Sequence, residues 1–203
     1  PYDPGSTWKP VTAMAGMESG KFPPDTKLHT KACITYGGHC FPDHNGAGFG
    51  HIGYADALRF SSNTFFYQVG VGVGSKALKQ AADQLGFQQK TGIEIGWEES
   101  VGLVGDEPWA DRGRGWAEPG TVPWIPEDMA SASIGQSVVQ ITPLQLARAY
   151  AVFANGGWLV TPHLAAGDID WMSPEHRTKV AIQPSTLQTI REGLRKVVEA
   201  GTG

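Results

Sequence analysis

The chain has 203 residues, 40% hydrophobic and 10% aromatic, with a formal net charge of −4. This composition excludes a disordered chain. It offers no basic stripe for nucleic acid, and no apolar run reaches the ~18 residues of a membrane span. The chain starts at Pro1 without Met and stops on Gly201-Thr202-Gly203, so it is read as an excised piece of a longer protein, large enough for one sizeable core.

A first helix is expected over residues 6–19. Val11, Met14, Ala15 and Glu18 recur at helical spacing, and Gly20 supplies a C-terminal stop. Residues 21–53 are rich in Gly and Pro and read as a loop-rich insertion. Tyr54 to Phe60 reads as a helix that leads into Ser61-Ser62-Asn63. Thr64 to Val69 follows as a further helix, with a strand as the alternative for its Phe-Phe-Tyr run.

Ser75 to Leu85 is amphipathic, with Ala77, Leu78, Ala81, Ala82 and Leu85 on its inner face. Trp97 to Trp124 carries four of the seven tryptophans among Gly, Pro and charged residues and reads as an ordered long loop. Thr142-Pro143 opens a helix that Asn155-Gly156-Gly157 closes. Trp158 to His163 reads as a strand. Ser185 begins a last helix whose buried stripe is Leu187, Ile190, Leu194, Val197 and Val198. With so few strands, the expected architecture is the helical lobe of an α/β protein whose sheet lies mostly outside this chain.

Two constellations carry chemistry. Ser6 and Lys9 stand at i, i+3 and share one helix face. A serine becomes a useful nucleophile when a neighbouring base takes its proton. A lysine is such a base only where its surroundings lower its pKa. Gly5 permits a sharp entry into the helix, and Pro10 is tolerated only in the first turn. The competing reading is an ordinary N-cap serine. Ser61-x-Asn63 then places a hydroxyl and a carboxamide on one tight turn, suited to relaying a proton and holding an amide. Alone, it is equally a helix junction.

In this order, the two motifs resemble the transpeptidase domain of penicillin-binding proteins, a superfamily with S-x-x-K, S-x-N and K-T-G motifs. Pro4-Gly5-Ser6-Thr7-Trp8-Lys9-Pro10, Ala57 through Tyr67, and Ile134-Gly135-Gln136 with Thr142-Pro143-Leu144-Gln145 are similar to the class B, monofunctional branch, and the run Asn63-Thr64-Phe65-Phe66-Tyr67 resembles its elongation type (penicillin-binding protein 2). The resemblance covers essentially the whole chain. It implies an α/β fold of the serine β-lactamase-like kind, with most of the central antiparallel sheet missing here. The whole of 1–203 is then a partial transpeptidase domain. Its parts are a nucleophile helix (6–19), the insertion (21–53), a Ser-x-Asn region (54–70) and a helical, Trp-rich remainder (71–203).

The resemblance implies roles. Ser6 attacks the penultimate D-alanine carbonyl of a peptidoglycan stem peptide ending in D-Ala-D-Ala, and Lys9 is the general base. Ser61 passes the proton to the leaving D-alanine. Asn63 holds the donor peptide and Lys9, and the Ser6 N–H is half of an oxyanion hole. β-lactams acylate Ser6. No cofactor is implied, and a membrane glycan polymerase is the expected partner. The expected location is the periplasmic face of the cytoplasmic membrane, reached through an N-terminal anchor not in this chain. A penicillin-binding sensor, a D,D-carboxypeptidase and a β-lactamase use the same serine and are the competing functions.

The third motif is a Lys-Ser/Thr-Gly on a strand. Lys90-Thr91-Gly92 comes too soon after Asn63 and reads as a structural turn, with the true motif expected beyond Gly203. Cys33, His39, Cys40, His44 and His51 lie within nineteen positions, near Asp25 and Asp43. Cys33, Cys40 and His51 are zinc-type ligands. Relatives that hold a metal here use a cysteine inside S-x-N, where this chain has Ser62. A Cys33–Cys40 disulfide, free thiols and zinc all stay open, with the disulfide favoured by an oxidising compartment. His29, His163 and His176 read as surface or structural residues. Trp97, Trp109, Trp116 and Trp124 read as packing anchors, with sugar stacking as the alternative.

Overall fold

The structure is a computed structural model that describes residues 1–113, 117–165, 170 and 173–202. Its axis is helix α1 (Lys9–Glu18), in which every residue from Lys9 to Met17 is buried. A helix without a polar face has to be central. Small residues let its neighbours come close: a Cβ on Gly16 would lie 2.4 Å from Tyr54 Oη and 2.6 Å from Val69 Cγ1. Around α1 pack α2 (Tyr54–Arg59), α3 (Asn63–Val73), α4 (Ser75–Gln84) and α8 (Pro184–Ala200). Trp8, Met14, Phe65, Phe66, Leu85 and Phe87 fill the space between them, and the Trp8 and Phe87 rings are 4.9 Å apart.

Residues 64–69 are helical. The Ser62 hydroxyl caps α3 by accepting from Phe65 N at 3.3 Å, which outweighs the strand preference of three consecutive aromatics. The remaining helices are α5 (Glu107–Asp111), α6 (Pro126–Ser133) and α7 (Pro143–Ala154). Helix α7 starts where Thr142-Pro143 predicts, and a capping box closes it: Gln145 N donates to Thr142 Oγ1 at 3.2 Å and Thr142 N to Gln145 Oε1 at 3.0 Å.

Several expectations are corrected. The segment 21–53 is not simply loop. It holds the antiparallel pair β1 (Lys27–Thr30) and β4 (Gly50–Gly53), with the hairpin β2 (Cys33–Tyr36) and β3 (His39–Pro42) nested between them. Four-residue strands full of His, Lys and Gly give no clear two-residue alternation, and β1 and β4 pair across a long separation that local pattern cannot reveal. The expected long loop from Trp97 to Trp124 contains β5 (Leu103–Val104) and α5, the latter capped by Asp106 Oδ1 accepting from Trp109 N at 2.8 Å.

Helix α6 has no amphipathic signature because its residues are short or polar. Asp128 Oδ2 nevertheless accepts from Ile125 N at 3.0 Å and starts it. Val198 is 79% exposed and does not belong to the buried stripe of α8, whose 3.6-residue period turns it outward. Trp97 is 74% exposed, whereas Trp109 and Trp124 pack on the core. Trp116 lies outside the described residues.

Two further pairs complete the strands: β5 with β6 (Val139–Gln140), and β7 (Trp158–Val160) with β8 (Arg177–Lys179). Among the described residues every sheet is two-stranded. The described residues thus form a helical α/β lobe without a large sheet.

Candidate active site

The N-terminal segment is tied down before it reaches the site. Tyr2 pairs with Ile141, each N–H donating to the other's carbonyl at 3.0 Å. Gly5 N donates to Gly135 O at 2.9 Å. Gly5 and Gly135 have φ of +57° and +72°. At Gly135 a side chain has no room either: a Cβ would lie 2.5 Å from both Gly5 O and Trp8 Cβ. This explains why Ile134-Gly135-Gln136 stands among the informative stretches of the sequence.

Gly5 to Trp8 forms a 3₁₀ turn, and α1 starts at Lys9. Ser6 therefore precedes the α-helix instead of lying within it. Residues i and i+3 eclipse in a 3₁₀ turn, so Ser6 and Lys9 still share one side. Both line a cleft of about 220 Å³ together with Pro10, Leu58, Ser61 and Tyr150. Ser6 is exposed to it. Tyr150 Oη donates to Thr7 O at 2.9 Å and steadies the turn from α7.

Lys9 is 1% exposed. Its Nζ donates to Ser61 O at 2.6 Å, Ser61 Oγ at 2.8 Å and Asn63 Oδ1 at 2.7 Å. Residues some fifty positions apart in sequence thus meet around one amine. An ammonium has three protons, and these three acceptors use all of them. Burial pushes the Lys9 pKa down from 10.5 to about 7, against the opposing pull of the Asp43 charge. The Phe66 ring, with its centroid 5.9 Å away, forms the apolar side of the site. Near neutrality Lys9 is therefore divided between amine and ammonium, which suits a group that must both take and return a proton.

Ser61 carries φ of +52°, in the left-handed region where a non-glycine residue is strained. That conformation aims both its carbonyl and its hydroxyl at Lys9. It is held by Ser61 N donating to Leu58 O at 3.0 Å and Ser62 N to Ala57 O at 2.9 Å.

Beneath this turn lies Asp43, only 2% exposed. Its Oδ1 accepts from Asn63 N at 2.8 Å and His44 N at 2.9 Å. Its Oδ2 accepts from Ser62 Oγ and Thr64 Oγ1, both at 2.7 Å, and from Thr64 N at 3.4 Å. Burial alone would raise the Asp43 pKa, but these donated bonds outweigh it and hold the carboxyl below its ordinary value. Sequence reasoning named Asp43 only as a neighbour of the Cys/His cluster. Its partners lie about twenty residues downstream, and no local spacing announces them.

Cys33 and Cys40 form a disulfide with Cα atoms 5.8 Å apart. His51 pairs across the strands with His29, their rings 4.6 Å apart. The zinc candidates Cys33, Cys40 and His51 are thus corrected: the two sulfurs bond each other, and the His51 imidazole packs on His29 within the β1–β4 pair, away from the cysteine hairpin. Among the described residues no three His, Cys, Asp or Glu side chains are grouped to hold a metal. Thr91 of Lys90-Thr91-Gly92 is buried, and its hydroxyl and N–H both donate to the Glu99 carboxylate. Its hydroxyl serves a turn, and Lys90 points to solvent.

A family profile described as penicillin binding protein transpeptidase domain matches residues 1–203. The peptidoglycan D,D-transpeptidase MrdA of Acinetobacter baumannii is 31% identical over 210 residues, covering 100% of this chain and 30% of that protein. The complex of penicillin-binding protein PBP2 with MreC from Helicobacter pylori superposes with a TM-score of 0.85 at 27% identity, over 98% of this chain and 35% of that one. A peptidoglycan synthase complex described as coordinating polymerization and crosslinking superposes with a TM-score of 0.83 at 32% identity, over 100% of this chain and 33% of its counterpart. The chain therefore spans about a third of the length of each of these three proteins.

Proposed function

From the premise that this chain belongs to the penicillin-binding protein transpeptidase family, of the PBP2 (MrdA) type, we propose that it carries the nucleophile half of a D,D-transpeptidase active site. The observation that carries this reading is the convergence of Ser61 Oγ and Asn63 Oδ1 on a desolvated Lys9 Nζ, in a cleft that also exposes Ser6.

The neutral Lys9 amine takes the Ser6 hydroxyl proton as Oγ attacks the penultimate D-alanine carbonyl. The developing oxyanion is met by the Ser6 N–H. The peptide C–N bond breaks, and the leaving D-alanine amine receives the proton from Lys9 through the Ser61 hydroxyl. An acceptor amine on a second stem peptide then attacks the acyl ester. Its surplus proton returns along the same path, Ser6 regains its hydrogen, and a cross-link is formed. Asn63 holds Lys9 through Oδ1 and turns its amide nitrogen to the donor peptide. β-lactams stop the cycle at the acyl-enzyme.

Residues 1–203 then form one partial transpeptidase domain. The Lys-Ser/Thr-Gly strand that binds the substrate carboxylate comes from outside them, so the isolated chain does not turn over peptide. The protein works on the extracytoplasmic face of the membrane beside a glycan polymerase, in keeping with the synthase complex it resembles. Among the described residues no helix is long and apolar enough to cross a membrane.

Covalent labelling by fluorescent penicillin tests the assignment. The full-length protein is expected to label, and Ser6→Ala to abolish the label. Labelling that survives this substitution overturns the reading.

A further inference from the structure

We infer that Asp43 is a positioning residue: its buried carboxylate, at the base of the disulfide-closed hairpin, fixes the Ser61–Thr64 turn and through it the acceptors around Lys9. The inference rests on the roles proposed above for Ser6 and Lys9.

Four observations carry it. First, the carboxylate accepts five hydrogen bonds, four of them from the consecutive residues Ser62, Asn63 and Thr64. Second, it bonds the N–H of Asn63 while the side chain of the same residue bonds Lys9, so the two contacts cannot move independently. Third, Ser61 is held in a strained conformation immediately before these bonded residues, and such a φ persists only where the surroundings enforce it.

Fourth, Asp43 is itself anchored. Its N–H donates to Ala32 O at 2.8 Å, closing the hairpin that Cys33–Cys40 ties. The same hairpin base touches the turn again where Lys31 N donates to Thr64 Oγ1 at 3.3 Å. A carboxylate serving only as a helix cap would need one or two of these bonds. Here they span the chain from hairpin to catalytic amine.

The carboxylate also acts on Lys9 through its charge, favouring the ammonium. The other titratable groups beside Asp43 are His44, with Nδ1 3.6 Å from Oδ1, and Tyr67, whose phenol is pushed up to about 12 by burial and by this same charge.

The experiment is the rate of penicillin acylation against pH in the full-length protein, with Ser6→Ala as the control. Loss of Ser6-dependence in the parent strikes the reading of the nucleophile. The Asp43 variants are judged only on Ser6-dependent labelling. Asp43→Asn is expected to slow acylation about 10- to 100-fold, the usual weight of hydrogen bonds to a charged group. It is also expected to move the acid limb of the profile to lower pH, because burial then acts on Lys9 unopposed. Mere loosening would admit water and move the limb the other way.

His44→Ala keeps the backbone N–H bond and is expected to leave the limb in place, which assigns the limb to Lys9. Thr64→Val is expected to slow acylation about 2- to 10-fold. Added to Asp43→Asn, it should cost less than it does alone, because only the Lys31 N bond to Thr64 Oγ1 is then left to lose. A rate within twofold of the parent, or an acid limb that stays or rises in Asp43→Asn, overturns the inference. If Asp43→Asn fails to fold, Thr64→Val and Ser62→Ala decide, and rates within twofold of the parent for both overturn it.

Discussion

Lys9 shows what burial does to one side chain. With a pKa near 7 it is a base at neutral pH, so acylation should rise with pH through that value and level off above it. Lys9→Arg preserves charge and length, but a guanidinium does not give up its proton. It should lower the acylation rate about 10²- to 10⁴-fold, measured by penicillin labelling. The same burial acts on stability. The unfolded chain holds the Lys9 proton up to pH 10.5 while the folded chain releases it near 7, so the unfolded state binds more protons in that window. Stability therefore rises with pH from about 7 to about 10. Denaturant midpoints of Lys9→Met should lack this rise, and an equal rise in both proteins would exclude Lys9 as its source.

At the scale of elements, the site depends on contacts that hold short segments together. Gly135 is where the 3₁₀ turn and the loop after α6 touch. Gly135→Ala meets both the φ penalty and the backbone of Gly5, and should cost about 2–4 kcal/mol, read as a lower midpoint in urea unfolding. Acylation should fall with it, because Gly5 leads directly to Ser6. The β2–β3 hairpin is closed by a disulfide across seven residues. Chain entropy for so small a loop gives about 2–3 kcal/mol. Replacing both cysteines by serine should lower the unfolding midpoint accordingly, and should slow acylation through the displaced Asp43.

On the scale of the molecule, the buried helix α1 sets the Ser6–Lys9 end against α3, and Tyr150 of α7 with Leu194 and Val197 of α8 line the cleft around it. The proposed chemistry is confined to that end. Lys90-Thr91-Gly92 has the letters of a substrate-binding motif but is folded onto Glu99 as a turn. Lys90→Ala should therefore leave the acylation rate within twofold of the parent, whereas a large loss would return this segment to the site.

The sequence determined the parts whose signals are local. Ser6 and Lys9 are one turn apart, Thr142-Pro143 is a capped helix start, and Ser75 to Leu85 carries a one-sided apolar stripe. Each is legible because helix geometry and capping act within four residues. The tertiary structure alone decided the rest. It fixed that Lys9 is desolvated, that Ser61 and Asn63 complete its acceptor set, that Asp43 supports them, and that four short strands pair in what reads as loop. These features join residues about twenty to fifty positions apart, and burial, charge and strand pairing across such distances are properties of the folded chain, not of any window within it.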